Sequence, residues 1–296
     1  MPFPAGLRAL NHRDFRLFWS GQLVSLVGRW MQSVAQSWLV LELTGSALKL
    51  GLLQTLQFAP ILLLSFPAGA LADRVAKARL LVVTQLSLAL AALALALLTW
   101  AGAVRYWHVL ALAAVAGTAQ ALDTPARQSM TAELVGKEDL VNAIALNSGV
   151  FNAARIVGPA LGGLLIARYG VAIAFFLNAV TYLPVVGALL AVRAAPAPRA
   201  AARSTLRADI ADGLRYVAAA PRVALILGLV LVVSLFAINH TVVVPLLARD
   251  VLGEDARGFG FLMAALGAGA LAGAALLAQF GRSRPPVAAL VAAAAV

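Results

Sequence analysis

The sequence predicts an all-α membrane protein, and composition and the length of the apolar runs support this. Apolar residues make up 62% of the chain and charged residues 12%, whereas a soluble domain has about 45–50% and about 25%. The long apolar runs approach or exceed the roughly 20 residues that a helix needs to cross a bilayer. We expect helices because an open sheet edge leaves backbone groups unsatisfied in lipid.

The apolar runs predict eight complete membrane spans and the start of a ninth. Six spans precede a polar segment: Phe15–Leu43, Ser46–Leu71, Leu80–Ala101, Trp107–Gln128, Leu140–Ala167 and Val171–Val192. After that segment come Val223–Leu247, Phe259–Phe280 and a ninth run near Val287. The fourth span is expected to weaken near its end, because Asp123-Thr124-Pro125 interrupts its apolar run.

These spans divide the chain into three predicted segments. Residues 1–192 would form an N-terminal six-helix bundle, and residues 193–222 a cytoplasmic linker rich in Ala, Pro and Arg. Residues 223–296 would begin a second, incomplete bundle. The ninth span has about ten residues, too few to cross a bilayer. We therefore expect a truncated chain.

The basic residues predict the orientation in the membrane. With the N-terminus inside, most of the 23 Lys and Arg residues fall in cytoplasmic segments. Cytoplasmic loops of membrane proteins carry such an excess. We expect a multi-pass protein of the cytoplasmic (inner) membrane with a cytoplasmic N-terminus. The net charge of +11 is then explained by these loops, without nucleic acid as a partner.

Residue types that perform chemistry are sparse. The chain has no cysteine, and its three histidines, His12, His108 and His240, lie far apart in the sequence. Disulfides, thiolate metal sites and cysteine nucleophiles are excluded, and no histidine pair indicates a metal site. We expect neither an enzyme nor a cofactor, and a non-enzymatic membrane scaffold is one alternative function.

A charged loop, GALADRVAKAR, separates the second and third spans. Its order resembles the signature between helices two and three of the major facilitator superfamily, although Ala76 stands where that family usually has Gly. The matching residues are Gly69, Leu71, Ala72, Asp73 and Arg74, with Lys77 and Arg79 as the basic end.

The fifth span contains a second motif, formed by Gly158, Pro159, Gly162 and Gly163. Small residues four apart let another helix backbone approach closely, so we expect a packing role. The order also resembles the fifth-helix signature of major facilitator exporters. With the segments 11–19, 38–46 and 125–127, the chain resembles the branch that includes macrolide efflux proteins and the enterobactin exporter.

This resemblance implies a secondary active transporter that exports a small amphipathic or anionic molecule, drug-like or siderophore-like, by alternating access. It also implies a charge latch at Asp73 between two six-helix halves. An importer or a lipid-moving relative remains an alternative. Protons as coupling ions stay open, because Ala113 stands four residues before Gly117, where many proton-coupled exporters have Arg.

Two arginines lie near the middle of predicted spans. Arg29 is central in the first span and Arg155 in the fifth, where insertion costs roughly +2.5–3.5 kcal/mol each. With Gln32, Asn152 and His240 they are our candidate lining of a substrate cavity. A guanidinium there would favour a carboxylate. The alternative is a structural polar cluster.

Asp123 is the candidate proton-linked residue. It lies in the inner third of the fourth span, and its spacing predicts an ion pair with Arg127 on the same helix face. A purely structural ion pair is the alternative.

Spans five and eight are expected to pack together at the boundary between the halves. Both carry small residues at four-residue spacing, which permits close backbone contact. The predicted faces are Ala154, Gly158 and Gly162 on span five and Ala265, Gly269 and Gly273 on span eight.

Overall fold

The computed structural model describes residues 3–72, 75–192, 215–221, 223–226, 228–229 and 240–280. The elements are a 3-10 helix at Ala5–Asn11, α1 Arg13–Thr44, α2 Ala47–Ala72, α3 Lys77–Trp100, α4 Tyr106–Tyr169, α5 Val171–Ala191, α6 His240–Leu246, a π-helical turn at Leu247–Val251 and α7 Ala256–Phe280. The all-α fold class is confirmed. Most of the predicted linker, residues 227 and 230–239 of the predicted seventh span, and the ninth span lie outside the described residues.

Within the described residues, five helices are long and apolar enough to cross a membrane, namely α2 to α5 and α7. α1 has 32 residues but is more polar. Its polar stripe, which we define as Gln22, Ser25, Arg29, Gln32 and Gln36, repeats at intervals of three and four residues. This spacing places the five side chains on one face of the helix. Gln22, Ser25 and Gln36 are buried, so the stripe faces the protein interior.

The predicted fourth and fifth spans are two arms of α4. The helix bends at Gly136, where φ is 69° and ψ is 179°, a conformation that glycine adopts without steric cost. The arms are residues 106–135 and 137–169. Val109 from the first arm and Ile166 from the second belong to one core cluster, so the arms run antiparallel.

Asp123-Thr124-Pro125, which interrupts the apolar run of the predicted fourth span, does not break the helix, because the first arm is helical through these residues to residue 135. Their polar atoms are satisfied along the helix. The Thr124 hydroxyl donates to the Gln120 carbonyl at 3.0 Å, and Arg127 donates to Asp123. Transmembrane helices tolerate proline where neighbouring groups compensate in this way.

The N-terminal 3-10 helix is fastened to the second arm of α4. The Ala9 amide donates to Asn142 Oδ1 at 2.9 Å, and His12 Nε2 lies 2.8 Å from Asp139 Oδ2. Arg8 also pairs with Asp139. These contacts attach the start of α1 to the region just after the α4 bend.

The second arm of α4 packs against α7, as expected for spans five and eight. Glycines permit the contact. A Cβ added at Gly163 would lie 2.7 Å from the Ala256 carbonyl oxygen, and one at Gly260 would lie 2.5 Å from the Pro159 carbonyl oxygen. The two backbones are therefore close enough that no side chain fits between them.

The residues predicted for this contact were wrong, because they belong to other faces. A Cβ at Gly158 would lie 2.5 Å from Trp30 Cβ, and one at Gly162 would lie 3.2 Å from α1. On α7, a Cβ added at Gly269 or Gly273 would meet no described atom within 4 Å beyond its own helix backbone. Spacing identifies residues that share a face, but it does not identify the helix that the face contacts.

Replacing Gly163 with alanine should lower the melting temperature, because the new Cβ overlaps the Ala256 carbonyl oxygen. Overpacking of this kind costs about 1–3 kcal/mol. Gly269→Ala is the matched control on the other helix. It meets open space, and alanine at a compatible glycine position stabilises by about 0.4–1 kcal/mol. Equal melting temperatures for the two variants in detergent would contradict this packing.

Candidate functional site

A cavity of about 120 Å³ lies among the described helices α1 to α5. Apolar side chains from α2 and α3 form part of its wall, but most of the residues that line it are polar. The polar lining residues are Arg29, Gln32, Ser33, Gln36, Gln57, Gln120, Asn178 and Tyr182. None of the described lining residues is a carboxylate. The cavity lining therefore combines amides and hydroxyls with one guanidinium.

The Arg29 guanidinium is oriented by an amide from α4. Its Nη1 donates to Gln120 Oε1 at 2.8 Å, and Gln120 Nε2 donates to the Thr124 hydroxyl at 3.2 Å. Arg29 forms no ion pair with the part of the chain that the structure describes. Since a guanidinium has five N–H donors, Arg29 keeps donors available to the cavity.

A second contact fixes α1 against α5. Asn178 Nδ2 donates to Gln32 Oε1 at 2.6 Å, and the Thr181 hydroxyl donates to Asn178 Oδ1 at 3.1 Å. Gly28 makes this approach possible, because a Cβ there would overlap the Asn178 and Thr181 side chains. Gln32 therefore has a protein partner at the cavity wall.

Asp123 is fully buried, and four donors surround its carboxylate. Arg127 donates from Nε at 2.7 Å and from Nη2 at 2.9 Å, so the predicted pair is confirmed. The Thr84 hydroxyl lies 2.9 Å away and Gln85 Nε2 2.6 Å away. Arg29 is near enough to interact electrostatically with both Asp123 and Arg127. Two guanidiniums and one carboxylate leave this region with a net positive charge.

Three predicted cavity residues lie elsewhere in the described structure. Asn152 donates to the Ser148 carbonyl on its own helix at 2.8 Å. Arg155 lies 5.9 Å from the ring centre of Trp30. His240 is half-buried at the start of α6. None of the three lines the cavity that contains Arg29, and their roles in substrate binding stay predictions.

The charged loop is described only in part. Lys77 is buried and pairs with Glu133 on the first arm of α4, which attaches the start of α3 to that arm. Arg79 is exposed, Leu71 is 41% exposed, and Gly69 has no described atom within 4 Å of an added Cβ. Asp73 and Arg74 lie outside the described residues, so the latch stays a prediction.

Several lining residues were not predicted. They are Ser33, Gln36, Gln57, Gln120, Asn178 and Tyr182. The polar stripe on α1 contains a signal that could have revealed Gln36, because Gln36 is seven residues from Arg29 and thus on the same face. The residues on other helices meet α1 only through tertiary packing, which no local pattern reveals.

A protein-family model described as "Transmembrane secretion effector" matches residues 5–296. The chain belongs to this family of the major facilitator superfamily. It is 32% identical over 168 residues to the Staphyloferrin A transporter of Staphylococcus aureus, covering 56% of this chain and 42% of the relative. The resemblance found in the sequence motifs is confirmed.

Two further relatives are similar over more of the chain. The multidrug efflux pump Tap of Mycolicibacterium fortuitum is 30% identical over 262 residues, covering 85% of this chain and 63% of Tap. The enterobactin exporter EntS of Escherichia coli is 28% identical over 283 residues, covering 93% of this chain and 66% of EntS. The chain thus spans between 42% and 66% of the length of these three relatives.

Proposed function

We propose that the full-length protein is a secondary active transporter that exports a small amphipathic or anionic molecule across the cytoplasmic membrane. The observation that supports this most is the cavity in which Arg29 presents a guanidinium that forms no ion pair with a described residue. Relatives named as a multidrug efflux pump and as an enterobactin exporter support the export direction.

The charge in the cavity favours an anion over a cation. A central arginine in a membrane helix costs roughly 2.5–3.5 kcal/mol, and an amide such as Gln120 does not neutralise it. A carboxylate offers two parallel charge-assisted hydrogen bonds to the guanidinium fork. Binding an anion next to Arg29 would therefore offset the cost of the buried charge, whereas a cation would add to it.

Alternating access is proposed to involve two halves, of which residues 1–192 form one and residues 223–296 begin the other. Residues 193–222 would connect them on the cytoplasmic side, where we also place the N-terminus. The contact between Gly163 and Gly260 supports this arrangement, because it joins a helix of each proposed half. Related transporters move by rocking one repeat against the other around a central site.

For the coupling ion we propose a proton, with Asp123 as its carrier. Asp123 is the one fully buried carboxylate among the described residues, and its charge interacts with that of Arg29. The alternative role is structural, in which Asp123 only neutralises Arg127. If the transport rate is the same after the pH gradient is collapsed, a proton is not the coupling ion and Asp123 has only the structural role.

The proposed function is tested with full-length protein in sealed vesicles of known orientation, with labelled staphyloferrin A and enterobactin as probes. We expect transport in the export direction, and we expect Arg29→Gln to lower its rate at least about tenfold, because a charge-assisted hydrogen bond is lost. Arg168→Gln is the matched control, since Arg168 is exposed beside Tyr169.

Each other outcome selects an alternative. Normal export by Arg29→Gln would contradict the proposal that Arg29 binds an anion. Transport only in the opposite direction would indicate an importer. Movement of lipid analogues without movement of either probe would indicate a lipid-moving relative, and no movement of any compound would indicate a scaffold.

A further inference from the structure

We infer that Gln36 forms, with Gln57, a second subsite of the cavity that binds a neutral hydrogen-bonding group of the transported molecule. The inference rests on the proposed function, because it assigns a second contact to the ligand whose anionic group Arg29 would bind. It narrows the substrate class to molecules that carry both an anionic group and a separate hydroxyl, amide or carbonyl group.

The decisive observation is an amide that borders the cavity and has no protein partner. Gln36 is 4% exposed and lines the cavity, yet its side chain forms no hydrogen bond with any described residue. Its amide atoms are not among the fully buried side-chain atoms that lack a partner, so what the cavity contains can reach them. A hydrogen bond to Gln36 can therefore come from a group of a bound molecule.

The neighbouring residues of the polar stripe differ in this respect. Arg29 binds Gln120, and Gln32 accepts a hydrogen bond from Asn178. Gln22 has a fully buried amide nitrogen without a described partner, but it does not line the cavity. Gln36 is thus the buried stripe residue whose free amide faces space that a ligand can enter.

The position of Gln36 sets the spacing of the two subsites. It follows Arg29 by seven residues, which is about 10 Å along a helix that rises 1.5 Å per residue. Gln57, on α2, lines the same cavity and likewise has no hydrogen bond to the described residues. An amide offers both donors and an acceptor and has no charge, so Gln36 and Gln57 can bind a neutral polar group. The apolar lining residues Phe58 and Ile61 can contact the carbon chain that joins this group to the anionic group of the ligand.

The test uses hexanoate and 6-hydroxyhexanoate, which differ by one hydroxyl at the end remote from the carboxylate. Binding to the purified full-length protein in nanodiscs is measured by titration calorimetry. Wild type should bind the hydroxylated probe about two- to tenfold more tightly, as expected for one neutral hydrogen bond. Gln36→Met should abolish that preference, so that the ratio of the two affinities falls to about one, and saturable binding of either probe shows that the variant is folded.

Gln22→Met is the matched control, because it removes the same amide from the same helix face outside the cavity, and it should keep the preference. A preference that survives Gln36→Met, or equal binding of both probes by wild type, would overturn the subsite alone. If neither carboxylate binds wild type, or if both bind Arg29→Gln as well as wild type, the proposed anion cavity fails and the subsite with it.

Discussion

Replacing Asp123 with alanine should lower the free energy of unfolding by about 3–5 kcal/mol, the cost of removing one partner from a buried ion pair. Arg127 would remain among packed helices with no described counter-charge, since its two hydrogen bonds both end on Asp123. Thr84 and Gln85 would lose the acceptor that they share. Denaturant titration in detergent, followed by tryptophan fluorescence, measures the change.

The double variant Asp123→Ala with Arg127→Met is the control for this prediction. It removes both charges together, so its loss of stability should be clearly smaller than the sum of the two single losses. Groups that interact directly show coupling energies of 0.5–3 kcal/mol in such cycles. Additive losses would mean that the pair contributes through packing and not through its charges.

The hydrogen bonds to Asp123 show which contacts can be predicted from residue spacing along one helix and which cannot. The pair with Arg127 follows from a separation of four residues on one helix, and the sequence predicted it. Thr84 and Gln85 lie on α3, and nothing in their own segment distinguishes them from the many other polar residues of membrane helices. Their contact with Asp123 depends on how α3 is rotated against α4, which only the folded structure determines.

The same distinction, between properties of one segment and contacts between segments, applies to the predicted membrane spans. Long apolar runs identified the helices of the described chain because length and hydropathy are local properties. Asp123 and Thr124 interrupt the apolar run of the fourth span but do not end its helix, because hydrogen bonds within the helix satisfy them. The glycine faces of spans five and eight were misassigned. Gly158 contacts α1, and the α7 contact uses Gly163, since a stripe of small residues does not identify its partner.

Two of the residues that line the cavity were predicted from the sequence, and the structure adds the others. Arg29 and Gln32 were identified because polar groups at membrane depth are costly and so require a partner or a function. The partner of Arg29 is Gln120, 91 residues away in the sequence, and no spacing rule connects them. The repeat of the polar stripe on α1 would have added Gln36, because the same heptad positions share one face.

Gln120→Glu should remove the preference of the cavity for anions. The substituted carboxylate would stand 2.8 Å from Arg29, where Gln120 Oε1 now accepts its hydrogen bond, and would neutralise the guanidinium. The carboxylate of a ligand would then compete with the introduced side-chain carboxylate for Arg29. Since hydrogen bonds to charged groups contribute about 1.5–3 kcal/mol, we expect hexanoate affinity to fall roughly 10- to 100-fold. Calorimetry on the full-length protein in nanodiscs measures it.

Gln120→Met distinguishes the effect of the charge of Arg29 from the effect of the hydrogen bond that orients Arg29. It removes the hydrogen bond to Arg29 at nearly constant length but leaves the guanidinium uncompensated, so hexanoate affinity should stay within about threefold of wild type. An equal loss in both variants would mean that Gln120 acts by positioning Arg29 and not by leaving its charge free. Wild-type affinity in Gln120→Glu would contradict the role of Arg29 altogether, because a neutralised guanidinium should not attract an anion.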